Sequence, residues 1–124
     1  MKTFKDLNCW KEARIFRQMC FELVKKFPAE EKYRLIDQLI RSSRGICAAI
    51  AEGHGRFHYQ ENIQYCRIAR GSLEESLDHL MVAWECEYIE KDEFEKYGKQ
   101  HETILALLNG YISYLKKRKS GETN

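Results

Sequence analysis

The sequence predicts an all-α fold, an antiparallel up-down-up-down four-helix bundle, on three observations. Apolar residues recur at three- and four-residue steps along most of the chain, with no strand-like alternation of useful length. The 124 residues include a single proline and seven glycines, and 44% of them are hydrophobic against 32% charged, a composition suited to helices. Four periodic segments are joined by short connections, so neighbouring helices must run antiparallel to bury their apolar stripes against one another. A chain of this length is the size of one domain and can build a core without disulfide or metal support. Residues 1–115 are read as the bundle, and residues 116–124 as a basic, flexible C-terminal tail.

The first helix carries Leu7, Trp10, Ala13, Phe16, Met19, Cys20, Leu23, Val24 and Phe27 on one stripe until "FPAEE" interrupts it. Pro28 suits a stop followed by a new first turn, where Glu30 and Glu31 face the positive end of the next helix dipole. The second helix is expected from about Glu30 to Glu52, with Ile36, Leu39, Ile40, Ser43, Ile46, Cys47 and Ile50 inward. Gly53 and Gly55 are read as its stop, since glycine takes the left-handed conformation without a Cβ clash. Glu52 then stands at the negative end of a helix dipole and should have a partner, Arg56 or the exposed amides that open the third helix. The third helix places Asn62, Tyr65, Ile68, Ala69, Ser72, Leu73, Ser76, Leu80 and Trp84 broadly together. After a link through Glu90 and Lys91, the fourth carries Phe94, Tyr97, His101, Ile104, Leu105, Leu108, Ile112 and Leu115. Small residues on the second helix (Ser42, Ser43, Gly45) and the third (Gly71, Ser72, Ser76) suit a close approach of those two backbones. A helical glycine costs roughly 1 kcal/mol relative to alanine, so Gly45 and Gly71 are expected to serve that packing.

Charge is distributed less evenly than the formal net of +2 suggests. Residues 1–71 hold 14 Lys/Arg against 8 Asp/Glu, residues 72–115 hold 3 against 10, and residues 116–124 hold 4 against 1. On the second helix Arg34 and Arg41 lie nearly in line, opposite the apolar stripe, with Arg44 one turn to the side. Arg56, Arg67 and Lys116, Lys117, Arg118 and Lys119 extend this candidate surface. Such a surface neutralises nucleic-acid phosphates by displacing condensed counterions, and it equally suits pairing with the acidic half of a neighbouring copy. A solvated helix face with i,i+4 pairs such as Arg70 and Glu74 is the plainer alternative. No glycine-rich phosphate loop or aromatic RNA-binding signature is present.

Catalytic and metal chemistry have little support in the residues. The five cysteines are scattered without a CxxC or Cys/His cluster, and Cys20 and Cys47 fall on apolar stripes, so they read as reduced, buried thiols. Glu75 and His79 are four apart with no second copy, unlike the paired Glu-x-x-His sets of di-metal bundles. His54 and His58 straddle the proposed turn, and His101 reads as a satisfied core histidine. No cofactor or metal is expected, and no catalytic residue is assigned. No apolar run reaches the roughly 20 residues of a membrane helix. "MKTFKDLNCW" lacks the apolar core of a secretory signal, so a cytoplasmic protein is expected.

"KFPAEEKYRLIDQLIRSSRGI", then "IAEGHGR", Glu61 and "IARGSLEE", resemble the bacterial four-helix-bundle family first met as open reading frames in intervening sequences of large-subunit ribosomal RNA genes. The similarity runs from "FKDLNCWKEA" to about Tyr114. It implies an antiparallel bundle, assembly into a ring-like homopentamer, and no established enzymatic activity. Glu52, Gly53, Gly55, Glu61, Gly71 and Ser72 belong to the pattern as structural residues. Cys47 and Ala49 depart from it, standing where the family often has Pro and Asn. His58 stands where Ser or Thr is common, with Glu61 as the far half of a capping arrangement. The chain is more distantly similar to the accessory protein of diversity-generating retroelements, a pentameric bundle with a basic, nucleic-acid-engaging surface. The leading expectation is a non-catalytic homo-oligomer that binds RNA or DNA phosphates through its arginine-rich face. The rival is an oligomeric scaffold for a protein partner, and a third option is an enzyme using Glu52, His54 and Glu61.

Overall fold

Four helices account for most of the computed structural model, which describes residues 3–123: α1 (Asn8–Leu23), α2 (Leu35–Gly55), α3 (Tyr59–Glu85) and α4 (Lys91–Thr123). There is no strand among the described residues. Among the described residues each helix backbone lies close to two others, in the cyclic order α1, α2, α3, α4. Side-chain bonds fix the directions. Tyr97 reaches the Met19 carbonyl and Gln100 the Glu12 carbonyl from α4 to α1, while Asn62 meets Tyr111 and Glu74 meets His101 between α3 and α4. Rising numbers on one helix meet falling numbers on the next, as antiparallel neighbours require.

The core is the set of stripes that the periodicity predicts. Phe16, Leu39, Ile46, Ile50, Leu73, Leu80, Ile104 and Leu108 are fully buried, each worth about 1.5–3 kcal/mol relative to an exposed side chain. Ile68 is a correction: it is 54% exposed. The buried face of α3 runs through Asn62, Ile63, Cys66, Ala69, Leu73, Ser76, Leu80 and Ala83 instead.

Three boundaries differ from the sequence expectation. After Pro28 the chain makes a 3₁₀ turn, Ala29–Glu31, and α2 begins only at Leu35, because Arg34 (φ −123°, ψ −107°) is not helical. Glu31 bridges the gap, its carboxylate accepting from the Leu35 amide at 3.4 Å and from the Tyr88 hydroxyl at 2.8 Å. At its far end α2 passes through both Gly53 and Gly55, neither of which has positive φ. The left-handed residue is Phe57, at φ 55°. Finally, α4 continues beyond Leu115 and carries Lys116–Lys119 on the helix itself.

Gly53 has a steric task. A Cβ at Gly53 would stand 2.7 Å from the Tyr65 Cβ and 2.8 Å from the Asn62 Oδ1, so α2 and α3 approach there only because the side chain is missing. The same two helices meet at Gly45, where a Cβ would lie 3.2 Å from the Ser72 Oγ, and at the 2.7 Å hydrogen bond donated by Ser76 to Ser42. The expectation for Gly71 is corrected, since a Cβ there would meet nothing within 4 Å and the residue is exposed. Gly53→Ala should therefore destabilise the bundle by about 1–3 kcal/mol through overpacking. Gly71→Ala should stabilise it by about 0.5–1 kcal/mol through helix propensity. Thermal unfolding of the two variants checks both signs, and a neutral Gly53→Ala would remove the close-approach argument.

Candidate nucleic-acid interface

The candidate basic residues divide between opposite sides and ends of the bundle. Arg34, at the start of α2, and Arg56, at its end, lie about 30 Å apart along the helix. Arg41 pairs with Asp37 one turn earlier at 3.6 Å. Arg44 lines a shallow groove of about 400 Å³ between α1 and α2 with Arg17, Gln18, Phe21 and Glu22. On the α3/α4 side, Arg67, Lys116 and Lys119 converge on a groove of about 390 Å³ that also includes Gln60 and Ser120. Lys119 hydrogen-bonds Gln60 there. Arg118 turns to the next face of α4, where its Nε donates to the Tyr59 hydroxyl at 3.4 Å. Lys117 is exposed on the same helix. No single arginine row exists: Arg67, Lys116 and Lys119 come together, whereas Arg34 and Arg41 stand apart from them.

Arg56 is occupied by a clasp across the α2–α3 turn. Its guanidinium lies 3.4 Å from Glu52 and 3.6 Å from Glu61, donates to the Tyr65 hydroxyl at 2.8 Å, and sits 5.2 Å from the centroid of the Tyr65 ring. Tyr65 first, then Glu52, raises its pKa above the ordinary arginine value. Glu52 thus has the partner expected of it. Glu61 does not complete a cap: His58, at the N-cap of α3, makes no side-chain bond to the helix, and Glu61 turns back onto Arg56.

Beside the clasp lies an aromatic cleft of about 450 Å³ that sequence reasoning missed. Phe57 borders it from the turn, Tyr59 from the start of α3, His54 from the end of α2 and Tyr111 and Tyr114 from α4, with the buried Asn62 beneath. Tyr111 and Tyr114 are nearly parallel (12°) with centroids 6.2 Å apart, and Asn62 donates to the Tyr111 hydroxyl at 2.9 Å. Phe57 is 87% exposed on a left-handed backbone. That conformation costs on the order of 1–2 kcal/mol for a non-glycine residue. Leaving the ring in water also forgoes the roughly 1.5–3 kcal/mol that burial supplies. The aromatic residues are separated in sequence, and only the antiparallel pairing of α3 with α4 brings them together. Of Glu52, His54 and Glu61, His54 is in the lining of this cleft, and the two carboxylates meet on Arg56.

His79 and His101 are engaged by carboxylates, and four of the five cysteines are enclosed. His101 bonds Glu74 at 2.7 Å and His79 bonds Glu75 at 3.2 Å. Arg70 bonds Asn109, at 2.7 Å, rather than Glu74. No group of three or more His, Cys, Asp or Glu able to hold a metal occurs among the described residues. Cys9, Cys20, Cys47 and Cys66 are buried and Cys86 is exposed. Burial pushes the Cys9 and Cys47 thiols up to about 11 and those of Cys20 and Cys66 to about 12, from an ordinary 9.0.

An all-α bundle of four helices, with basic side chains lining grooves on two of its sides, is the class of protein that this fold defines. The family model described as 23S rRNA-intervening sequence protein matches residues 5–110, and the chain belongs to that family. The chain also resembles the crystal structure of a protein of unknown function from the S23 ribosomal protein family of Bacteroides thetaiotaomicron. The TM-score is 0.77 at 24% identity, over 84% of this chain and 97% of that one. That likeness supports the fold alone. No curated protein shows a significant match. No helix among the described residues is long and apolar enough to cross a membrane.

The raised thiol pKa values give stability a defined pH dependence. A thiol whose folded pKa lies above its unfolded value favours the folded state fully below about pH 9, and that contribution is lost as pH rises toward 11–12. The urea midpoint should therefore fall between pH 9 and 11; a flat profile would contradict the assignment. Ellman's reagent at neutral pH should titrate Cys86 alone in the native protein and all five thiols after unfolding.

Proposed function

We propose that this protein is a non-catalytic, cytoplasmic homo-oligomer, a ring-like pentamer, that binds nucleic-acid phosphates electrostatically. The observation that carries the reading is the convergence of Arg67, Lys116 and Lys119 on one groove between α3 and α4. Arg67 and Lys116 have no carboxylate partner there among the described residues. Cations held together without carboxylates keep their full charge available for phosphates, whose neutralisation releases counterions and gives salt-sensitive affinity. Arg17 and Arg44 provide a second groove on the α1/α2 side, its charge partly offset by Glu22, and symmetry multiplies both by the number of copies, raising avidity without new contacts. Ile15, Phe21 and Ile68, all exposed, are apolar surface for contact between copies. The same apolar surface supports the alternative, an oligomeric scaffold that presents a protein-binding face.

A salt-titrated gel shift with a labelled RNA and a duplex DNA, run beside light scattering, tests the reading. The unmodified protein should shift nucleic acid at low salt and lose affinity as salt rises. Arg67→Ala/Lys116→Ala/Lys119→Ala should reduce the log–log salt slope by about 2 for a single strand with the oligomer intact. Arg34→Ala should change it little. The absence of any shift at low ionic strength would favour the scaffold.

A further inference from the structure

The aromatic cleft at the α2–α3 turn and the basic groove lie at the same end of the bundle, one on either side of the contacts Tyr59–Arg118 and Gln60–Lys119. We propose that the cleft holds an unstacked nucleobase, so that the nucleic acid preferred by this protein is single-stranded. This rests on the phosphate-binding reading and adds a site to it.

The geometry supports a base in three ways. Phe57 projects its ring into solvent from a backbone conformation that disfavours any side chain, with the His54 ring, 6.3 Å away at 60°, beside it at the edge of the site. Tyr111 and Tyr114 offer a second, nearly parallel pair of rings across the cleft, with Tyr114 half exposed. Between them Asn62 is held in one orientation at the floor, its Nδ2 donating to the Tyr111 hydroxyl and its Oδ1 accepting from the Cys66 thiol, which leaves one N–H and one oxygen lone pair of the amide. Flat rings above a fixed amide suit a planar heteroaromatic ligand with edge donors and acceptors. The volume of about 450 Å³ lies in the range of small-ligand pockets. Arg118, bonded to the hydroxyl of the lining Tyr59, and Lys119 on the adjoining face place cations where the backbone of such a ligand would continue. A paired base cannot enter, because its faces are stacked and its edge is used.

Fluorescence anisotropy with three probes of equal length tests the inference: an adenine single strand, the same strand with abasic sites, and a duplex. The single strand should bind at least several-fold more tightly than the abasic strand. Phe57→Gly should weaken single-strand binding roughly 5- to 150-fold, toward the abasic level, while leaving abasic affinity unchanged. Glycine accepts the left-handed conformation, so the same variant should melt at or above the temperature of the unmodified protein, which separates lost binding from lost folding. Phe57→Trp keeps a stacking face and should retain affinity. Equal binding of the single and abasic strands, or an unaltered affinity in Phe57→Gly, would overturn the inference while leaving phosphate binding in place. Failure of all three probes to bind at low salt would overturn both readings.

Discussion

The close approach of α2 to α3 is the constraint on which the rest of the bundle depends. At Gly53 the space for even one methyl group is taken by Asn62 and Tyr65, and at Ser42 and Ser76 two hydroxyls meet at hydrogen-bond distance. With these contacts made, the register of the two helices is set: a shift of one residue would drive a Cβ into the opposing helix and leave the two hydroxyls with only the carbonyls of their own helices, Leu39 and Ser72. Asn62 is thereby held where it can meet Tyr111 on α4, so the register passes from the α2/α3 pair to the α3/α4 pair. The turn between α2 and α3 is short because the helices are already close, and Arg56 closes it from outside by drawing in Glu52 and Glu61.

The helices, their stripes and their order are legible in the sequence because burial of apolar residues at helical spacing leaves few alternatives. The fate of the glycines is not. Gly53 and Gly55 in "IAEGHGR" look like a stop because glycine so often takes positive φ at helix ends, yet here the helix continues and Phe57 takes that backbone conformation. What decides between the two uses is the presence of another helix a few ångströms away, which is a tertiary fact. The start of α2 is obscured for a related reason, since Glu31 can satisfy the Leu35 amide from a 3₁₀ turn as well as from within a helix.

The basic residues show the same limit more sharply. Counting charges along the chain finds the imbalance, and projecting α2 onto a wheel finds an arginine row, but neither shows which helix lies next to which end. Arg56 is consumed by its carboxylates and Arg41 faces Asp37, while Arg67 of α3 gains Lys116 and Lys119 as neighbours from residues some fifty positions away. The aromatic cleft is hidden in the same manner: Phe57 belongs to a turn, Tyr59 to the start of α3, and Tyr111 and Tyr114 to α4, some fifty positions further on. Their association is a product of topology.

The extent of α4 has a consequence for how any partner is met. At 33 residues it is about 50 Å long, roughly twice the length of α1, and its last turns bear Lys116 through Lys119 on a regular backbone. Charges on a disordered tail would have to surrender conformational freedom at the moment of association. Charges on a helix have given up that freedom during folding, so their attraction is not offset by an ordering entropy when the complex forms. They are also turned by 100° from one residue to the next, so only part of the run can face a single ligand. Lys116 and Lys119 look one way and Arg118 another, and the run works as two small, rigid contacts addressed to different surfaces rather than as one cloud of positive charge.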